Sequence, residues 1–207
     1  MNPDKISYGV YAVKNGKPEL VAASIKDLSY TFRVVEPGEQ TFCQYAVIPS
    51  SERGPGEAAL TAMIPVGTGY RNYRESFADG ELSTVFMRET VNGFSLWRPT
   101  TDTYPGYLSS DGDNGYLLLD AYAINDCSDI MTGKISLDGL VNPGLTFATY
   151  NLSTANVGPN KNTIEVWACE VGKEFRKIEE IRICDLGDKD GWYRKLVSLD
   201  ELSLIHI

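Results

Sequence analysis

The chain has one histidine in 207 residues, His206, and it stands among the last six. Chemistry that needs an imidazole therefore lacks its usual parts, which disfavours Ser/His/Asp and Cys/His nucleophilic sites and histidine-ligated zinc. The four cysteines, Cys43, Cys127, Cys169 and Cys184, contain no CxxC pair, so a zinc ribbon or thioredoxin-like site is not expected. No apolar run approaches the roughly 20 residues of a membrane span, and membrane insertion by this segment is not expected. No window sustains a helical period, so almost no helix is expected. Positive charge is also short. With 19 Lys and Arg against 28 Asp and Glu, the net charge of -9 opposes nucleic acid or an anionic membrane as partner.

What is present is turn and strand material. Nineteen glycines, ten prolines and twelve tyrosines give frequent turns and aromatic strand residues, as in secreted β modules, and the length suits two compact domains. YGVYAV (8–13), ELVAAS (19–24) and LSYTFRVV (28–35) are short strand candidates, separated by an NGK turn at Asn15 and an EPGE turn at Glu36. In TFCQYAVIPSSERGPGEAALTAMIPVG (41–67), Cys43, Tyr45 and Val47 alternate inward, and a Pro/Ser/Gly-rich turn leads to a second run ending at Ile64 and Val66. This order, with the SYTF run and the closing hydrophobic strand, resembles the later strands of a fibronectin type III domain. Such a sandwich uses about seven strands, and five can be counted here. Residues 1–67 are thus expected to be an incomplete fibronectin type III sandwich, in a chain that starts inside a longer frame.

The character changes from residue 70. YRESFADGEL (73–82) has the look of an aromatic acidic strand and turn, and NGFSLWRPT (92–100) brings Trp97, either core or rim. An acidic loop and apolar strand follow in SSDGDNGYLLLDAY (109–122). GKISLDGL, LTFATYNLS, NTIEVWACEV, FRKIEEIRICDL and GWYRKLVSLDE are further strand candidates. The succession of ESF, the central Trp, DGDNGYLLLD and these later strands resembles MAM-like jelly rolls. It is most similar to the cleaved-adhesin, or choice-of-anchor, modules of large bacterial surface proteins and secreted peptidases. Over 70–201 the resemblance implies an antiparallel jelly-roll β-sandwich, truncated before its last strands, secreted, and serving adhesion or ligand binding. The final LSLIHI (202–207) matches the translation of transposon-end adapter DNA used in sequencing libraries, and is expected to be a read-end artefact; the other reading is an apolar final strand.

Three features carry possible chemistry. Asp111, Asp113 and Asn114 set hard oxygen donors on the DGDNG turn, which is what calcium needs, although the same run also suits a plain solvated turn with Gly112 and Gly115 at positive φ. The resemblance to the jelly rolls implies that Glu75 or Asp79 and Asp200 would join them. In WRPTTDTYPGY, Trp97, Tyr104 and Tyr107 offer aromatic platforms, with Arg98 and Asp102 as polar neighbours, for a glycan or a protein ligand at the cell surface or in the matrix. The competing reading has Trp97 packing inward and the tyrosines covering loop edges. Trp167 alternates with Val166 and reads as core, and Trp192 opens a strand. Carboxylates such as Glu179, Glu180, Asp188 and Asp190 sit near turns rather than facing one another across a cleft, so no catalytic residues are expected.

Cys43 falls on an inward phase, which leaves Cys127, Cys169 and Cys184; a Cys169–Cys184 bridge requires their two strands to stand in register. Asn151-Leu152-Ser153 matches a glycosylation acceptor. Together these features predict a non-catalytic extracellular adhesion or carbohydrate- or protein-binding module. A structural spacer for a peptidase or glycoside hydrolase domain encoded elsewhere is the alternative, and a jelly-roll glycoside hydrolase the third reading.

Overall fold

The computed structural model describes residues 5–14, 16–33, 38, 40–102, 109–120, 125–152, 161–200, 202 and 204–206, the last three by backbone alone. The chain is all-β: its strands pair antiparallel, and among the described residues the one parallel contact is a bridge between Tyr70 and Ile135. It divides into two compact units, Met1–Thr68 and Gly69–Ile207.

In the first unit, β1 (Ser7–Lys14) and β2 (Lys17–Ile25) form a hairpin closed at Lys14↔Lys17. The two-residue connection contains Gly16 at φ 74°, and the Asn-Gly pair in the sequence is the signal for such a turn. β3 (Thr41–Ser51) pairs with the other edge of β1, from Ser7↔Ser50 to Val13↔Gln44. The free edge of β3 is covered in three short pieces: β4 (Gly54–Pro55), β5 (Ala59–Leu60) and β6 (Ile64–Val66). Val10, Tyr45, Ala46 and Val66 are buried.

The strand expected at 28–35 is not one over its described part, 28–33. Leu28 is 96% exposed, and Tyr30 and Phe32 instead lay their rings toward the sheet, with Phe32 5.2 Å from Tyr45 and Tyr30 5.9 Å from Phe32. Covering a face with aromatic area is a competing use for a β-prone run, and here it prevails.

In the second unit, β7 (Phe86–Asn92) pairs with β10 (Cys127–Thr132), and β8 (Arg98–Thr100) with β9 (Tyr116–Leu118). β12 (Gly144–Asn151) pairs with β15 (Gly191–Ser198) through eight consecutive residues. β13 (Thr163–Glu170) pairs with β14 (Arg176–Arg182), which runs into a 3-10 turn, Ile183–Asp185. β11 (Ile135–Ser136) and β16 (Leu204–His206) complete the strands. The core lies between two of these layers. Val197 of β15 is 1% exposed against Val166 and Ile181 of β13 and β14, while Ala168, Leu137, Leu199 and Leu202 form an adjoining cluster. Leu145 and Ile178 touch both clusters, so β12–β15 packs face to face on β13–β14, as in a sandwich.

Several expectations change here. No strand forms in the 73–82 stretch. Glu75 accepts hydrogen bonds from the N–H groups of Ser76 and Phe77, each at 3.0 Å, and Phe77 takes φ 58°, which breaks the extended path. Trp167 is not core: Val166 and Ala168 are buried on one face of β13, and plain strand alternation turns Trp167, 43% exposed, to the other. The Cys169–Cys184 bridge is ruled out by register. Thr163 pairs with Arg182, so Cys184 lies beyond the opposite end of β13 from Cys169, roughly 20 Å away at 3.3 Å per residue. None of the four cysteines is in a disulfide. Leu204–His206 forms short ladders with β11 and β13, and Leu202 is buried.

Candidate functional site

Trp97 precedes β8 and is half-buried. Its backbone N–H and its indole Nε1 both donate to Ser128 of β10, to Oγ at 3.4 Å and to the carbonyl at 2.8 Å. Arg88 donates to the Trp97 carbonyl at 2.7 Å, and the Ser128 hydroxyl donates to the Glu89 carbonyl at 2.9 Å. The ring is therefore pinned along β7 and β10, at the rim rather than in a core cluster. Arg98 stands 3.5 Å from Asp102 and 3.4 Å from Asp120. The backbone around Asp102 is fixed by its N–H on Thr100 Oγ1 and by Tyr116 OH donating to its carbonyl at 2.8 Å. Arg98 and Asp102 thus form an exposed pair next in sequence to Trp97; Tyr104 and Tyr107 lie outside the described residues.

The DGDNG loop packs on the ESF segment. A Cβ built on Gly115 would overlap the carbonyl of Phe77, so only glycine permits this approach. Gly112 and Asn114 take φ 85° and 72°, and the N–H of Asn114 donates to Ser109 Oγ at 2.9 Å. Hydrogen bonds hold the Asp113 carboxyl below its ordinary range, the Ser76 hydroxyl first and the Gly115 N–H next; burial opposes them, and Ser109 and Asp111 add lesser hydrogen bonds. Asp111 is paired with Arg74 at 3.1 Å. Asp111, Asp113, Ser76 and Ser109 form an all-oxygen set whose chemistry fits a hard cation.

The other expected ligands are differently engaged. Glu75, next in sequence to Ser76, accepts from Tyr73 OH at 2.7 Å as well as from its own turn. Burial pushes the Tyr73 phenol up to about 12, with Glu75 adding to the effect and a Ser83 hydrogen bond opposing it. Asp79 accepts from Glu81 N–H at 2.9 Å, and Asp200 accepts from Ser198 Oγ at 2.6 Å. Among the described residues, no three His, Cys, Asp or Glu side chains converge as a metal site. The glycosylation reading also meets an obstacle. Asn151 is 2% exposed and spends its amide on the Gly187 carbonyl at 2.8 Å, so in the folded unit it is not presented as an acceptor.

Sequence reasoning missed a second polar and aromatic cluster. Glu89 and Asp129 are direct partners in the β7–β10 ladder. Burial first, then the charges of Glu89 and Glu165, push the Asp129 carboxyl up. Glu165 is held down by hydrogen bonds from Lys177 and Trp167. The signal was the i, i+2 spacing of Glu165 and Trp167, which puts both on one face of β13. A shallow depression of about 250 Å³, lined by Cys169, Glu170, Lys173, Glu174, Arg176 and Leu202, lies near the β13–β14 turn. Compared with models of known protein families, with curated proteins and with solved structures, the chain matches none.

Proposed function

We propose that this chain is a non-catalytic binding segment of a larger secreted or surface protein. In this reading residues 1–67 are a fibronectin type III-like spacer and residues 70–201 a MAM-like, cleaved-adhesin type jelly roll that contacts a glycan or protein ligand outside the cell. The observation that carries it is the pinned Trp97: an amphipathic ring at the rim is fixed by hydrogen bonds to β7 and β10, next in sequence to the exposed Arg98–Asp102 pair. Such an arrangement gives a ligand an apolar surface and polar contacts without a large ordering cost.

The test is retention of the intact chain on immobilised glycans and matrix proteins. Trp97→Ala is expected to abolish retention. Arg98→Ala leaves the ring seated and is expected to weaken retention about tenfold, the loss of roughly 1.4 kcal/mol, with the melting temperature unchanged. Retention unaffected by either substitution would sink the assignment of this surface.

The same reading includes a structural calcium ion, which Asp111 and Asp113 would hold with Ser76 and Ser109 in reach and Glu75 adjoining, fixing the loop against the 76–78 segment. Millimolar calcium is then expected to raise the melting temperature by several degrees, and Asp113→Ala to remove the rise. No rise in either protein ends the calcium proposal and leaves DGDNG as a turn. The spacer alternative predicts no retention on any ligand, and the hydrolase reading predicts release of sugar.

A further inference from the structure

The outward face of β13 and β14 carries Glu165, Trp167, Lys177 and Glu180, all exposed, while Val166, Ala168 and Ile181 point the other way into the core. Trp167 Nε1 donates to Glu165 Oε2 at 2.9 Å. Glu165 stands two residues back, about 7 Å along the strand, so the indole must lie down along β13 rather than project from it. One ring face then turns to the sheet and the other to water, in keeping with its 43% exposure. A single exposed aromatic is ordinary on a protein surface. This one differs because its only polar atom is already satisfied and its orientation is locked by a chain of ion pairs: Lys177 Nζ donates to Glu165 Oε1 at 3.0 Å and to Glu180 Oε2 at 2.6 Å.

We infer that Trp167 is the stacking platform of a saccharide site on the β13–β14 face, specific for neutral hexopyranose units. The chemistry is that of a flat carbon surface edged by carboxylates and an ammonium. The axial C–H face of a pyranose lies on the indole, and its vicinal hydroxyls donate to Glu165 and Glu180 and accept from Lys177. Charge selects the sugar. Glu165 and Glu180 both hold the one ammonium, Lys177, Asp129 beside Glu89 lies within electrostatic reach of Glu165, and Arg182 on the same face is engaged with Asp185 at 3.1 Å. Uronates, sialic acids and sulfated sugars meet a net negative field and are rejected. This inference rests on the reading of the chain as a glycan binder and adds a site to it, remote in sequence from Trp97.

The experiment is native affinity electrophoresis of the intact chain in gels containing hydroxyethyl cellulose, xyloglucan, galactomannan or mixed-linkage β-glucan, with polygalacturonate and heparin as anionic probes. Retardation is expected in at least one neutral gel and in neither anionic gel. Trp167→Ala is expected to weaken it tenfold or more, and Trp167→Tyr, which keeps an aromatic platform, to restore it to within a few-fold. Unchanged retardation of Trp167→Ala overturns the inference, as does a wild-type chain retarded by no neutral polysaccharide or only by anionic ones. Loss confined to Trp97→Ala overturns it while leaving the binding-module reading intact. If neither gels nor matrix proteins hold the wild-type chain, that reading fails too.

Discussion

Asn151 offers the sharpest test of the packing in the second unit. Its side chain is 2% exposed; Nδ2 donates to the Gly187 carbonyl at 2.8 Å, and Oδ1 has no partner. The amide orientation follows from this, because a flipped amide would face oxygen to oxygen. Asn151→Asp keeps the shape but replaces the donor with a second oxygen against the same carbonyl. At neutral pH it buries an unpaired charge and orphans an acceptor, at an expected cost of about 3–5 kcal/mol. The pH dependence has a definite sign. Burial raises the folded-state pKa of the new carboxyl above its unfolded value of about 3.9, so the penalty is smallest below about pH 4. It grows as pH rises through the folded pKa, because protonation returns an O–H donor to Gly187. Asn151→Ala removes the donor and also the orphaned Oδ1, so it costs less, about 1–2 kcal/mol. Urea unfolding followed by tryptophan fluorescence suits the purpose, since Trp97, Trp167 and Trp192 all belong to the second unit. An Asp variant within 0.5 kcal/mol of wild type at pH 7, or a penalty flat from pH 4 to 8, refutes the reasoning.

Gly115→Ala forces a Cβ into the backbone of Phe77, which is not the flexible end of a side chain, and is expected to destabilise the second unit by about 2–3 kcal/mol. Gly112→Ala meets no atom within 4 Å and has only its φ of 85° to contend with, so the same denaturation assay should give about 1 kcal/mol. Asp129→Asn relieves a direct like-charge pair with Glu89 and is expected to stabilise by about 0.5 kcal/mol at pH 7, a value reduced for solvent screening. Because the folded pKa of Asp129 is raised, the wild type is at its relative best below about pH 4. The advantage of the Asn variant should therefore vanish there, and a gain that persists at acid pH would contradict the electrostatic cause.

The sequence carried the long strands well and the irregular ones poorly. Alternation in VWACEV, LTFATYNLS and GWYRKLVS placed β13, β12 and β15, because each buries one face against the facing layer. The Asn-Gly pair likewise gave the β1–β2 turn. Local side-chain chemistry hid the rest. Glu75 capping its own following N–H groups turns a strand-like run into a loop, and SYTF spends its aromatics covering Tyr45 instead of joining a ladder. Trp167 was misplaced although the alternation was there to use: its neighbours Val166 and Ala168 take the core face, so the residue between them takes the outer one, and its large aromatic side chain was read as core against that period. Of the expected site residues, Arg98 stands against Asp102 and Asp111 beside Asp113, while Trp97 is held on Ser128. Asp79 and Asp200 close turns of their own, a role that the identity of a carboxylate in a sequence does not announce.

The most direct measurement probes an array of neutral and charged glycans and matrix proteins with the intact chain, reading bound protein and released reducing sugar on the same spots. Saturable binding, in the micromolar to millimolar range of a single small site and with no sugar released, is the predicted result. Binding to nothing would make the chain a spacer, and release of reducing ends would make it a hydrolase; either contradicts the account.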